Sequence, residues 1–240
     1  MPTTPEVILA DLQEKLDQIA LDRRKKTHFF AFFDIDGTLV DPFARQVAIY
    51  EEILQPQFNL PPTHELDLRS KPYFIGSCVP ELQTDQEKYA EVEQEFLIHF
   101  LSPDYLEYDQ PFPGSIQLIE SIRALGLGII YLTSRHLHGP KSMADKTIQL
   151  LGDWGFPIGP SIEVLFGFKN EIEDVDLDFK QKFVEKFNAN KFQACLFAAD
   201  NEAAMCMMFR ETFPEAIVVR FESAQSQDVV FDGPTITSWE

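Results

Sequence analysis

The stretch His28–Asp41, HFFAFFDIDGTLVD, decides the fold. Residues 29–33 are apolar without a break. With no alternation of polar and apolar positions, the run reads as a short strand covered on both faces, as in a parallel sheet between helices. Asp34 and Asp36 then arrive one residue apart, followed at once by Gly37 and Thr38. The carboxylates therefore belong to a strand-to-loop exit, where they emerge from the core instead of being buried in it. Gly37 permits a tight turn there, and the Thr38 hydroxyl can hold the loop.

The surrounding chain can build such a core. It has 240 residues, 45% of them hydrophobic and 12% aromatic, enough for one large domain or a core with a modest insertion. Its 39 acidic and 20 basic side chains give a formal net charge of -19. That balance serves solubility and argues against a nucleic-acid or anionic-membrane surface, which would need a basic cluster. A phosphorylated ligand must then be drawn in by a local site or a metal. Three scattered cysteines, Cys78, Cys195 and Cys206, fit no metal spacing, and the last two read as packing thiols. The opening MPTTPEVILADLQEKL has acids early and no long apolar stretch, so neither a signal peptide nor a membrane span is expected, and a reducing cytoplasm is the default setting.

Thr4 and Pro5 open an amphipathic helix through Ile8, Leu12, Leu16 and Ile19, which DRRKK should end. From Pro42 to about Gln110 the character changes. FARQVAIYEEIL and QEKYAEVEQEFLIHFL read as amphipathic helices around a proline-rich irregular piece, so residues 42–110 are expected to form a helical insertion in a core made of 1–41 and 111–240. The regular pattern resumes with a helix carrying Ile116, Ile119, Ile122 and Leu125, and a buried strand, IIYL, ending in Thr133-Ser134-Arg135. Helices around SMADKTIQLLGDWG, DFKQKFVEKFN and AAMCMMFRETF then alternate with strands IEVLFGF, ACLFAAD and AIVVRF. This alternation predicts an α/β, Rossmann-like three-layer core with a parallel sheet. The last residues read as loosely structured.

Asp34, Thr133 and Asp200 each stand at the C-terminal end of an apolar strand, where open α/β sheets bind ligands. Lys180, near the start of the helix before the strand ending in Asp200, can reach the same crevice. Asp34 and Asp36 with Asp200 make an all-oxygen set suited to Mg²⁺. With charge so neutralised, one carboxylate can attack phosphorus and its neighbour can move protons.

DIDGTLVD, IIYLTSR, the lysine of DFKQKF and AADNE, in this order, resemble the four motifs of the haloacid dehalogenase-like hydrolase superfamily. The resemblance implies Mg²⁺-dependent phosphoryl transfer through an aspartyl-phosphate. On it, Asp34 is nucleophile and metal ligand. Asp36 protonates the leaving oxygen and then activates water, with its main-chain carbonyl on the metal. Thr133 and Ser134 bind phosphoryl oxygens, Lys180 neutralises charge, and Asp200 completes the metal site. The insertion falls where members with a C1-type cap carry a helical lid, which excludes water and selects the leaving group. A small phosphorylated metabolite is the implied partner of a monomer or homodimer.

This chain departs from the pattern in two places. The second acid usual four residues beyond the match to Asp200 is Ala204, and the glycine often found before Asp200 is Ala199. Asn201, Glu202 or a water could fill the metal's vacant place. Lys182 and Lys169 rival Lys180. Arg69 and Lys71 are the insertion's candidates for a substrate anion, while His136 and His138 read as a polar loop. Among other chemistries, Asp36 argues against haloacid cleavage, and phosphonate cleavage would need Lys71 or Lys88 as a Schiff base. The competing reading is a regulatory protein that keeps the fold but, through Ala204, has lost turnover.

Overall fold

A computed structural model describes residues 2–21, 27–159, 163–190, 192–226 and 229–240. In chain order it has α1 (Pro5–Leu21), β1 (His28–Phe33), β2 (Val40–Asp41), α2 (Phe43–Ile49), α3 (Gln55–Phe58), α4 (Pro80–Thr84) and α5 (Gln86–Phe100). Then follow β3 (Gln110–Pro111), α6 (Ser115–Ala124), β4 (Gly128–His136), α7 (Ala144–Trp154), β5 (Val164–Lys169) and α8 (Asp176–Asn188). The chain closes with β6 (Gln193–Asp200), α9 (Ala203–Thr212), β7 (Ile217–Phe221) and β8 (Thr235–Ile236).

Six of the strands form one parallel sheet in the order β5-β4-β1-β6-β7-β8. The unbroken apolar run of β1 is explained by its two faces. Ala31 and Phe33 join Ile8 and Leu12 of α1 with Leu118, Ile119 and Ile122 of α6, while Phe30 and Phe32 join Val184 and Phe187 of α8 with Met208 and Phe209 of α9. Phe32 meets Phe187 edge-on at 4.9 Å between ring centroids. Each such fully buried side chain contributes roughly 1.5–3 kcal/mol. Cys195 and Cys206 are packed inside as expected, and burial raises both thiols.

β2 and β3 pair antiparallel, Val40 opposite Pro111 and Asp41 opposite Gln110, and so bring together the ends of the intervening segment. That segment is helical and has its own apolar cluster, with Ile49, Tyr50, Leu54, Phe74, Val92 and Phe96 at its centre. The expected first helix of the insertion is interrupted: residues Tyr50–Leu54 between α2 and α3 adopt a π-helical turn. Gln55 N–H reaches Tyr50 O there, and Pro56, which has no N–H to donate, follows at once.

Two expectations change, and two others fall on residues that are not described. Ile19 is exposed, because the core under α1 ends near Leu16, and DRRKK lies outside the described residues. Ile162, the first residue of IEVLFGF, lies outside them as well. The C-terminal residues are anchored, not loose: β8 extends the sheet, and Trp239 stacks on Phe221 with centroids 4.8 Å apart. Isolated apolar residues such as Ile236 and Trp239 carry no periodicity, so pattern reading passes over them.

Candidate active site

β1 has β4 on one side and β6 on the other, so the chain order reverses across it and a crevice opens beyond these strand ends. Asp34 follows β1, Thr133 lies on β4 and Asp200 ends β6, which brings the three predicted residues to one edge. A cleft of about 920 Å³ lies there, lined by Asp34, Thr133 and Lys180 and, from the insertion, by Arg45, Gln46, Lys71 and Tyr73.

The loop after β1 is held by its own backbone. Ile35 O accepts the amides of Thr38, Leu39 and Val40, and Gly37 N–H bonds to Val40 O at 2.8 Å. Gly37 needs to be glycine: its φ is +78°, and a Cβ there would lie 2.6 Å from Asn201 Nδ2. Trp239 Nε1 donates to Thr38 O at 2.7 Å, so the C-terminus braces the same loop.

The carboxylates do not simply emerge into solvent. Asp34 is only 6% exposed, and it is compensated there by Lys180, itself 2% exposed. Lys180 Nζ lies 2.8 Å from Asp34 Oδ1 and 2.8 Å from Asp200 Oδ2. Thr38 Oγ1 donates to Asp34 Oδ2 at 3.2 Å. Two carboxylates thus share one ammonium. Burial pushes Asp34 up to about 7, opposed by Lys180 and reinforced by Asp200. Burial opposes the charge on Lys180, but Asp200 and Asp34 outweigh it and hold the ammonium protonated.

Asp36 sits in a second network. It accepts from Arg45 Nη2 at 2.6 Å and, as a bidentate pair, from Arg135 Nε and Nη2 at 2.8 Å each. Arg135 also donates to Asp109 Oδ2 at 2.7 Å and to Thr147 at 3.1 Å. Arg45 Nε pairs with Asp109 Oδ1 at 3.0 Å without aligned hydrogen-bond geometry, and its guanidinium lies 3.9 Å over the Phe100 ring. Burial would raise Asp36, but the two guanidinium charges outweigh it and hold the carboxyl well below its usual range. Burial pushes Asp109 up to about 6 against the same pair of arginines.

Of the rival lysines, Lys182 is exposed, and Lys169 is buried on Asp176 at 2.8 Å and Ile172 O at 3.1 Å. Thr133 Oγ1 accepts the Arg135 amide at 3.2 Å, and its hydroxyl proton has no acceptor among the described residues. Ser134 lines the cleft beside it. Ala204 lines the cleft too and has no ligating atom. Nearby, Glu202 donates its N–H to Asp200 Oδ1 at 2.9 Å, and Asn201 Oδ1 accepts from Thr38 at 3.4 Å. Arg69 is turned to Asp67, and Lys71 Nζ to Asp41 at 2.6 Å.

His136 is not part of a polar loop: it ends β4, buried, with Nδ1 unpartnered among the described residues, whereas His138 is exposed. Sequence reasoning missed Arg45 and Asp109. Arg45 did leave a signal, because it stands one helical turn before buried Ile49, on a face that should be apolar. Asp109, in irregular chain, left none.

Among the described residues, no three His, Cys, Asp or Glu side chains gather as a ready metal cage. No helix among them is long and apolar enough to cross a membrane. A comparison with curated proteins finds no match. Among solved structures, the chain is similar to a predicted phosphatase from Clostridium acetobutylicum, at 14% identity and TM-score 0.53 over 88% of this chain and 94% of that one. It is also similar to a haloacid dehalogenase-like family hydrolase from Streptococcus pneumoniae, at 15% identity and TM-score 0.55, covering 89% and 95%. A subfamily IA hydrolase from Geobacter sulfurreducens matches at 13% identity and TM-score 0.52, covering 90% and 94%. At such identities these likenesses speak for the fold. The haloacid dehalogenase-like hydrolase profile matches residues 31–210, three-quarters of the chain and all the strand ends described above, and the chain belongs to that family.

Proposed function

We propose that this hydrolase is a Mg²⁺-dependent phosphatase that acts on a small phosphomonoester through an aspartyl-phosphate on Asp34. The observation that carries the reading is the pair of buried carboxylates, Asp34 and Asp200, sharing the single ammonium of Lys180 at the floor of a cleft. Such an excess of negative charge suits a cation. Asp34, Asp200 and the main-chain carbonyl of Asp36 would hold Mg²⁺, with waters completing the shell as this ion favours. When bound, the ion would neutralise the carboxylates and the phosphoryl charge. Glu202 or Asn201 would stand in for the acid that Ala204 lacks.

On this reading an Asp34 oxygen attacks phosphorus as the bond to the leaving oxygen breaks. Thr133 and the Ser134 amide bind phosphoryl oxygens, and Lys180 offsets the charge that builds up between Asp34 and the phosphoryl group. Asp36, ionised between Arg135 and Arg45, is suited to take a proton from the water that cleaves the acyl phosphate. For it to protonate the leaving oxygen first, Arg45 would withdraw with the insertion. We take residues 42–110 as the cap that excludes water and meets the leaving group. Three free cysteines agree with a reducing, cytoplasmic setting.

Phosphate release from a panel of organic phosphates, with Mg²⁺, with a chelator and with Asp34→Asn, tests the reading. Release that needs Mg²⁺ and vanishes in the variant supports it; release unaffected by Asp34→Asn refutes it. Metal binding without release would favour the regulatory reading, for which Ala204 in the cleft is the supporting observation.

A further inference from the structure

The mouth of the cleft carries a feature that the phosphoryl site does not use. Tyr73, from the insertion, is 49% exposed, and Val175 and Leu177, at the start of α8, are 62% and 37% exposed. All three line the same cleft, Tyr73 from the insertion and the other two from the core. Large apolar side chains from two separate segments left in water in one cleft mark a ligand-binding surface more than a surface accident.

The position of Tyr73 is built. The buried Gln46 side chain bonds both flanks of its loop, giving Nε2–H to Pro72 O at 3.3 Å and taking the Ile75 amide at 3.1 Å. Lys71 adopts a left-handed φ of 44° and ties the same loop to Asp41. The Tyr73 hydroxyl has no hydrogen-bond partner among the described residues. Burial and, after it, the charges of Glu202, Asp176, Asp36 and Asp34 raise it to about 12. It is therefore a neutral phenol at any physiological pH.

Each of the cleft's cations has a carboxylate beside it, the buried ones most firmly. Arg45 and Arg135 are engaged by Asp36 and Asp109, Lys180 by Asp34 and Asp200, Lys71 by Asp41 and Arg69 by Asp67. Arg220 on β7 is the most loosely held, with Nε unpartnered among the described residues, a 3.4 Å bond from Nη1 to Gln225 and a 3.9 Å ion pair from Nη2 to Glu222. A substrate with a second anionic group would have to displace a carboxylate or reach Arg220. An uncharged, apolar remainder would instead cover surface that is already exposed.

We infer that Tyr73, Val175 and Leu177 form the leaving-group subsite, and that the substrate is a singly phosphorylated ester whose remainder is uncharged and apolar or aromatic. This rests on the phosphatase reading and narrows its substrate class. Tyr73 acts by packing its ring against the leaving group.

The test compares phenyl and hexyl phosphate with phosphoglycolate and a sugar bisphosphate in the wild type, Tyr73→Ala, Tyr73→Phe, Arg220→Gln and the surface control Ile98→Ser. The expected result is kcat/KM at least about tenfold higher for the apolar pair. Tyr73→Ala should raise KM for that pair about tenfold with kcat changed less than about threefold; Tyr73→Phe, which keeps the ring, should retain the preference for the apolar pair, and Ile98→Ser should stay near wild type. Calorimetric binding of phenyl phosphate and phosphoglycolate to Asp34→Asn, with Mg²⁺, reads the subsite without turnover, and phenyl phosphate should bind about tenfold more tightly. No phosphate release at all would refute the phosphatase reading, while the binding preference would still decide the subsite. A preference for the doubly anionic compounds that Arg220→Gln abolishes would overturn the inference. So would equal affinity for the two classes, or a Tyr73→Ala effect equal for both.

Discussion

Asp34→Asn should stabilise the metal-free protein at alkaline pH although it removes the proposed nucleophile. Burial, with Asp200 nearby, raises the folded pKa of Asp34 from the ordinary 3.8 to about 7. A group with a raised folded pKa contributes stability below its unfolded value, and that contribution is lost as pH rises through the folded one. At 1.36 kcal/mol for each pKa unit, ionising Asp34 in the fold costs roughly 4 kcal/mol by about pH 8. The amide avoids that cost but gives up the 2.8 Å bond to Lys180, which keeps Asp200. Discounting for the lost bond leaves a net gain of about 2 kcal/mol. For a chain of this length that is a rise in Tm of about 4–8 °C. Thermal melts followed by circular dichroism in chelator, at about pH 8 and about pH 4, would show it. The gain should shrink as pH falls through about 7 toward 4, where wild-type Asp34 is protonated in the fold. An Asp34→Asn melting point at or below wild type at about pH 8 would refute the claim that two carboxylates compete for one ammonium.

Lys180→Met leaves both buried carboxylates uncompensated and should cost about 3–5 kcal/mol by denaturant titration near neutral pH, with phosphate release lost. Arg135→Met breaks the bidentate grip on Asp36 and the bond to Asp109, and a loss of about 3–5 kcal/mol is expected. Arg135→Lys should not restore it, because one ammonium cannot reproduce the fork; a melt equal to wild type would show the network to be dispensable. Trp239→Ala removes the stack on Phe221 and the bond to Thr38 O, costing about 3–5 kcal/mol, with hydrogen exchange rising at residues 35–40 if the C-terminus braces that loop.

The unbroken apolar run of residues 29–33, the strand-helix alternation after Gly114 and the helical periodicity between Pro42 and Gln110 were enough to determine a parallel sheet between two helical layers with a helical segment inserted after β1. Periodicity reports which face of an element is buried, so elements and layers are legible locally. Asp34, Thr133 and Asp200 were also legible as strand ends, and the rule that ligands bind there placed them in one crevice. Which lysine reaches that crevice was not legible. Lys180 and Lys182 are two residues apart on one helix, and only the docking of α8 turns Lys180 inward and leaves Lys182 in water. The quartet of Arg45, Asp109, Arg135 and Asp36 joins residues up to 99 positions apart, and no local pattern encodes a pairing at that separation. The same holds for Trp239 on Thr38 and for Tyr73 in one cleft with Val175 and Leu177. The sequence alone determined the secondary elements, the sheet and the strand-end acids, because hydrophobic burial and backbone preference act over a few residues. Only the tertiary structure decided which charges are paired and what the cleft leaves exposed, because ion pairs and cavity walls are assembled from segments that the sequence keeps apart.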